Sequence, residues 1–173
     1  MKRFLSHLLF YPTVGWNLIQ GKFDRSRHWW DEVDEQVILG ALPLKRFHPQ
    51  LRQLGVTAVL NMCAEWEDPL EELAADGIVY HRVPTVDFFP PEYEQIFEGA
   101  QFVNEQTEAG ERVYVHCKAG RGRSAMVVMC WLMHNKQMAP EEAYEYLLTK
   151  RPQVINHLDK AEPVQIYHKQ LLR

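Results

Sequence analysis

HCKAGRGRS, residues 116–124, stands between the apolar run Val113, Tyr114, Val115 and the apolar stretch AMVVMCWLM at 125–133. The first run has the length and β-branched character of a buried strand, and the second has the length of a buried helix. The nine residues between them therefore form a loop that opens a helix. A helix N-terminus carries unpaired backbone N–H groups and the positive end of the helix dipole, so the amides of Lys118, Ala119, Gly120, Arg121, Gly122 and Arg123 can converge on one anion. Gly120 and Gly122 are expected to allow the turn. Arg123 adds a planar fork suited to two phosphate oxygens at once, which lysine does not reproduce.

The field that attracts phosphate also favours a thiolate at Cys117. A free thiol has a pKa near ~8.5, and cysteines at helix N-termini beside cations fall to about 3.5–7.5. An ionised Cys117 beneath a bound phosphoryl group is placed for in-line attack and a phosphocysteine intermediate. Ser124 can donate a hydrogen bond to the sulfur, and His116 is expected to orient the loop through backbone hydrogen bonds. A lone cysteine is more often a small buried apolar residue. The ordered string of strand, His-Cys, two glycines, Arg, Ser and apolar helix separates Cys117 from that reading.

Departure of an alkoxide requires a proton, so a general acid is expected on another loop. Asp87, thirty residues upstream of Cys117 in VPTVDFFPP, is the candidate, with Pro90 and Pro91 ending regular structure after it. Taken alone, such an aspartate reads as a turn former or helix cap. Beside a phosphate loop it reads as the acid, with Phe88 and Phe89 as an apolar wall that excludes water.

HCKAGRGRS with VDFFPP resembles the dual-specificity branch of the cysteine-dependent phosphatases. FYPT at 10–13, Gly21-Lys22, Trp29-Trp30, LGALPLK at 39–45, TVD at 85–87 and PEEA at 140–143 are similar to the mitochondrial PTP-like phosphatases that act on phosphatidylglycerophosphate. The resemblance implies Cys117 as nucleophile, Arg123 as phosphate ligand, Ser124 as the group that eases sulfur departure and Asp87 as general acid, the same four that the residues themselves suggest. NMCAEWED at 61–68 departs from the more acidic EEYE-type stretch of that family and is closer to tensin-type lipid phosphatases. Lys118 and Arg121 add cations to the loop and favour a multiply charged substrate, an anionic phospholipid over an isolated phosphotyrosine. Dual-specificity protein phosphatase and phosphoinositide phosphatase remain the alternatives. The resemblance implies a location at a membrane inside the cell, the mitochondrial inner membrane in a eukaryote, otherwise the cytoplasm or the inner-membrane face.

With 173 residues, 46% hydrophobic and 24% charged, the chain has ordinary globular usage and a length sufficient for one substantial core. A net charge of −4 argues against nucleic acid as a partner. Three cysteines at wide spacing do not suggest a secreted disulfide framework. Cys130 reads as core. Cys63 follows a buried run and is a candidate to crosslink with Cys117 under peroxide. His48, His81, His134, His157 and His168 share no metal-ligand spacing, and neither a metal nor a cofactor is expected. Glu65, Glu67 and Asp68 read as a solvated loop, and Asn156 as a candidate support for the pocket.

Residues 1–27 hold five cations, Lys2, Arg3, Lys22, Arg25 and Arg27, against the single carboxylate Asp24, with apolar residues between them. Residues 1–30 therefore read as a basic, apolar segment packed on the domain or associated with a membrane surface, and 31–173 as the catalytic domain. Pro12 and Gly15 make a spanning helix a poor fit. Strands are expected at 36–40, 57–61, 78–83 and 112–116, and helices at 49–54, 69–76, 91–109, 124–135, 140–150 and about 159–172. Asp68, Pro69 and Gly77 supply cap, first-turn and terminating signals for the second helix. The fold expected is α/β, with a mainly parallel central sheet of about four to five strands flanked by helices, like that of the dual-specificity phosphatases.

Overall fold

The computed structural model describes residues 10, 12–16, 19 and 27–173. The features expected at Tyr11 and Gly21-Lys22, and the cations Lys2, Arg3, Lys22 and Arg25, lie outside the described residues.

Strand periodicity decides the layers. In β2 (Val37–Gly40), β3 (Ala58–Cys63) and β5 (Val113–His116), alternate side chains enter two different cores. Val37, Leu39, Ala58, Leu60, Met62, Val113 and Val115 face the larger one, while Ile38, Val59 and Tyr114 face the smaller. β1 (Trp30–Glu32) and β4 (Val79–Thr85) complete a five-stranded sheet of order β1-β2-β5-β3-β4. β1 is antiparallel to β2, and the other pairings are parallel. The expected mainly parallel sheet is therefore present with one added edge strand. β1 carries two acids in three residues and no apolar alternation, so nothing in its own sequence marks it.

Besides the helical residues 12–16, the described residues form six α-helices, interleaved with and following the strands: α1 (His48–Gln53), α2 (Leu70–Ala75), α3 (Tyr93–Glu108), α4 (Arg123–Asn135), α5 (Pro140–Lys150) and α6 (Glu162–Leu171). α3, α4, α5 and α6 cover the larger core, and Leu51 of α1 packs into the smaller. α4 is buried at every position from Arg123 to Met133, as a helix hydrophobic all round must be. Phe10 and Val14 also belong to the larger core. α3 opens with a reciprocal capping pair between Glu92 and Gln95, and α5 starts at Pro140, with the backbone N–H of Ala139 donating to Glu142 at 2.8 Å. Gly77 terminates α2 with φ of 70° as expected, but Pro69 occupies the N-cap position and Asp68 does not cap the helix.

Register brings one edge of the sheet into use. Gly40 and Asn61 both pair with His116, so β2 and β5 end level while β3 runs two residues further, to Cys63. The segments leaving their C-terminal ends, together with the turn after β4, gather where parallel sheets place ligands.

Candidate active site

Cys117 leaves the end of β5 buried, and α4 starts six residues later at Arg123. The loop between them is shaped by a close approach. Gly120 has φ of +65°, and a Cβ there would lie 2.4 Å from the carbonyl oxygen of Gly40. Only glycine fits that position. Gly122 does not share the constraint: its φ is −124°, and a Cβ would meet the flexible end of Ile155 at 2.9 Å. LGALPLK lies against the loop, since the Leu42 N–H donates to the Lys118 carbonyl at 3.5 Å and Tyr114 Oη to the Ala41 carbonyl at 2.5 Å. From the other side Arg151 Nε donates to the Gly120 carbonyl at 2.7 Å and Nη2 to the Ala119 carbonyl at 3.0 Å, while its charge meets Asp31 at 2.6 Å. Arg151 had no signal in the sequence beyond its place after α5.

Burial works against ionisation of Cys117. The Arg123 guanidinium, the Ser124 hydroxyl and the backbone N–H groups of Ser124 and Ala119 outweigh it and bring the thiol down to about 6. Ser124 Oγ donates to the sulfur at 3.2 Å. The thiolate expected from the sequence is therefore the dominant form at neutral pH.

Arg123 is held by three acceptors. Nη1 donates to the Thr85 carbonyl at 2.7 Å and to Glu65 at 3.1 Å, and Nη2 donates to Asp87 at 3.0 Å. Burial disfavours its charge, yet Cys63, Cys117, Asp87 and Glu65 raise its pKa. Asp87 also pairs with Lys118, whose Nζ donates to Thr13 Oγ1 at 3.0 Å and lies 4.4 Å above the Phe88 ring. The backbone N–H of Asp87 donates to Glu65 at 2.7 Å. Glu65 thus ties Arg123 to the Asp87 turn, and its side chain is fully buried.

The solvated-loop reading of 65–68 fails for Glu65 and Asp68. Asp68 accepts from Asn61 Nδ2 at 2.8 Å and Trp66 Nε1 at 3.1 Å, and pairs with His116 Nε2 at 2.9 Å. Burial opposes the charge on Asp68, and His116 together with the hydrogen bonds outweighs it and lowers the pKa. The His116 side chain therefore meets a side-chain carboxylate and not the backbone bonds expected of it; its Nδ1 has no partner among the described residues. The missed signal was Trp66 inside an acidic run, an aromatic that packs beside Phe10 and pulls its neighbours inward.

Above the sulfur is a cavity of about 640 Å³, lined by Lys118, Ala119, Arg121, Gly122 and Arg123 and by Phe88 and Phe89. The structure thus brings together all the residues singled out in HCKAGRGRS and VDFFPP. Ile155 and Leu158 line the cavity, whereas Asn156 is exposed outside it. Cys63 and Cys130 are buried free thiols whose pKa values burial raises, and for Cys63 Arg123 opposes the rise and Cys117 adds to it. Among the described residues no helix is long and apolar enough to cross a membrane.

A buried thiolate and an arginine on a strand–loop–helix turn, with an aspartate brought in from a separate turn, define a cysteine-based phosphatase site. The sequence pattern of the dual specificity phosphatase catalytic domain matches residues 37–163, and the chain belongs to that family. Phosphatidylglycerophosphate phosphatase PTPMT1 of Arabidopsis thaliana is 39% identical over 154 residues, which cover 85% of this chain and 44% of that protein. The Homo sapiens phosphatidylglycerophosphatase and protein-tyrosine phosphatase 1 is 34% identical, with 96% of this chain and 88% of that protein covered. The crystal structure of PTPMT1 in complex with PI(5)P superposes with a TM-score of 0.76 at 31% identity, covering 84% of this chain and 97% of that one.

Proposed function

We propose that this chain hydrolyses phosphatidylglycerophosphate to phosphatidylglycerol and phosphate through a phosphocysteine at Cys117. The observation that carries the reading is the Cys117 thiol, held at about 6 under Arg123 at the floor of a cavity with an apolar mouth. The names of the Arabidopsis and human relatives support the lipid. PI(5)P in the related crystal structure favours phosphoinositides as the second reading.

In the proposed reaction the incoming phosphate takes the Arg123 fork from Asp87 and settles on the loop amides. The thiolate attacks phosphorus, the bond to the lipid oxygen breaks, and Asp87 in its acid form protonates that oxygen. Water then attacks the phosphocysteine and gives its proton to Asp87, while Ser124 stabilises the departing thiolate. Lys118 and Arg121 supply charge for the second phosphate of the lipid. Residues 1–30 are read as a segment packed on the domain or associated with a membrane, and 31–173 as the catalytic domain. The location proposed follows the substrate: the mitochondrial inner membrane in a eukaryote, otherwise the cytoplasm or the inner-membrane face.

The test is phosphate release from phosphatidylglycerophosphate, phosphoinositides and a phosphotyrosine peptide side by side, with Cys117→Ser as control. Preference for phosphatidylglycerophosphate is expected. Preference for the peptide would move the chain to protein dephosphorylation.

A further inference from the structure

The mouth of the cavity contains large apolar side chains that the chemistry at its floor does not require. Trp16, Phe88, Phe89 and Ile155 line it and are 58%, 61%, 38% and 49% exposed. They arrive from three segments: the helical turn at 12–16, the turn after Asp87 and the loop after α5. Exposed apolar residues are ordinary when scattered, but gathered around one opening they mark a contact surface. Phe88 also has φ of 66°, a left-handed backbone that a bulky residue enters only at a cost, and its ring is the most exposed of the four.

Charge selects the occupant. Lys118, Arg121 and Arg123 lie within this apolar rim against one lining carboxylate, Asp87, which pairs with Lys118 and Arg123, while the chain as a whole carries −4. Arg121 donates Nε to the Gln153 carbonyl at 2.7 Å and forms no ion pair among the described residues. A cationic centre inside an apolar rim matches a surface with anionic groups above a hydrocarbon layer. A hydrated phosphoprotein surface would leave the four large side chains in water.

We propose that this face docks on an anionic lipid bilayer, with Trp16, Phe88, Phe89 and Ile155 seated at the boundary between headgroups and acyl chains. The turn that carries Asp87 is then also a bilayer contact, and the substrate is engaged by its headgroup while its chains stay in the membrane. The docking face rests on the reading of the substrate as a phospholipid.

The experiment is flotation of the full chain with phosphatidylcholine vesicles containing roughly 30% phosphatidylglycerol, compared with phosphatidylcholine alone. Phosphatidylglycerol lacks the phosphomonoester, so binding is read without turnover. Wild type is expected to float with the anionic vesicles and weakly with the neutral ones. Phe88→Ser and Ile155→Ser, on separate segments, should each lower capture about tenfold, the ratio expected for one large apolar side chain withdrawn from the interface. Phe97→Ser is the control, because Phe97 is exposed but packs on Tyr93 and Tyr167 and does not line the mouth. No capture by anionic vesicles, equal losses for Phe97→Ser and Phe88→Ser, or retention on an immobilised phosphopeptide with vesicles ignored would each overturn the docking face. Hydrolysis of phosphatidylglycerophosphate in detergent micelles, run on the same wild-type preparation, separates the two readings. Turnover in micelles without vesicle capture removes the docking face alone, and capture without turnover removes the substrate assignment.

Discussion

Two acid–base pairs flank Cys117, and they differ in access to water. His116 and Asp68 meet with both side chains fully buried, on the sheet side of the loop. Arg123 and Asp87 meet at the cavity, with Asp87 partly exposed and shared with Lys118. In the sealed pair the carboxylate meets only protein groups, His116, Asn61 and Trp66. The open pair can be replaced by a ligand anion that offers Arg123 the same oxygens. Burial, more than residue type, separates the carboxylate that holds the loop from the one proposed to move a proton.

The largest expected effect lies between the two pairs. Cys117→Ser should lower turnover by at least about four orders of magnitude while vanadate binding, measured calorimetrically, survives in part. Near-normal rates would end the covalent scheme. Breaking the sealed pair should act on folding: Asp68→Ala removes the carboxylate that buried His116 and Trp66 Nε1 meet, while Asn61 keeps the Trp66 carbonyl, and is expected to cost about 3–5 kcal/mol in urea denaturation. A variant as stable as wild type would show that the pair is dispensable.

Breaking the open pair should act on chemistry. Asp87→Asn is expected to reduce kcat by about 10²–10³-fold with alkyl phosphates and much less with an activated aryl ester, with little change in the urea midpoint. Equal losses on both esters would argue against an acid at this position. The smallest effect is a shift on the pH axis. The thiolate is the reactive form and its pKa is depressed, so kcat/KM should fall as pH drops through about 6. Ser124→Ala removes a hydrogen bond to the thiolate and should move that acid limb upward, as a pH–rate profile would read directly. For Asp68 the lowered pKa gives stability that is fully present above its ordinary 3.8 and is lost as pH falls through the folded value.

The same contrast explains what could be read in advance. Cys117, Arg123, Ser124 and Asp87 were legible because the loop chemistry is local or is announced by prolines and a strand end. β2, β3, β4 and β5 were legible because alternation and buried runs are local too. The edge strand β1 was not, since three residues hold no pattern and their pairing to β2 is decided by the partner. Glu65 and Asp68 looked like solvent-facing acids because polar composition cannot report which charge lies opposite. Arg151 was silent for the same reason: its partners Asp31, Ala119 and Gly120 are far from it in the chain.

The amino-acid order alone therefore determined an α/β domain with a cysteine loop opening a helix and a separate aspartate turn, because strand period, helix caps and loop glycines act over a few residues. Tertiary structure alone decided which acids are sealed beneath the loop, that Lys118 bridges Asp87 to Thr13, and that Trp16, Phe88, Phe89 and Ile155 share one rim. Those outcomes depend on register and packing between distant segments, and on the dielectric that packing creates around each charge.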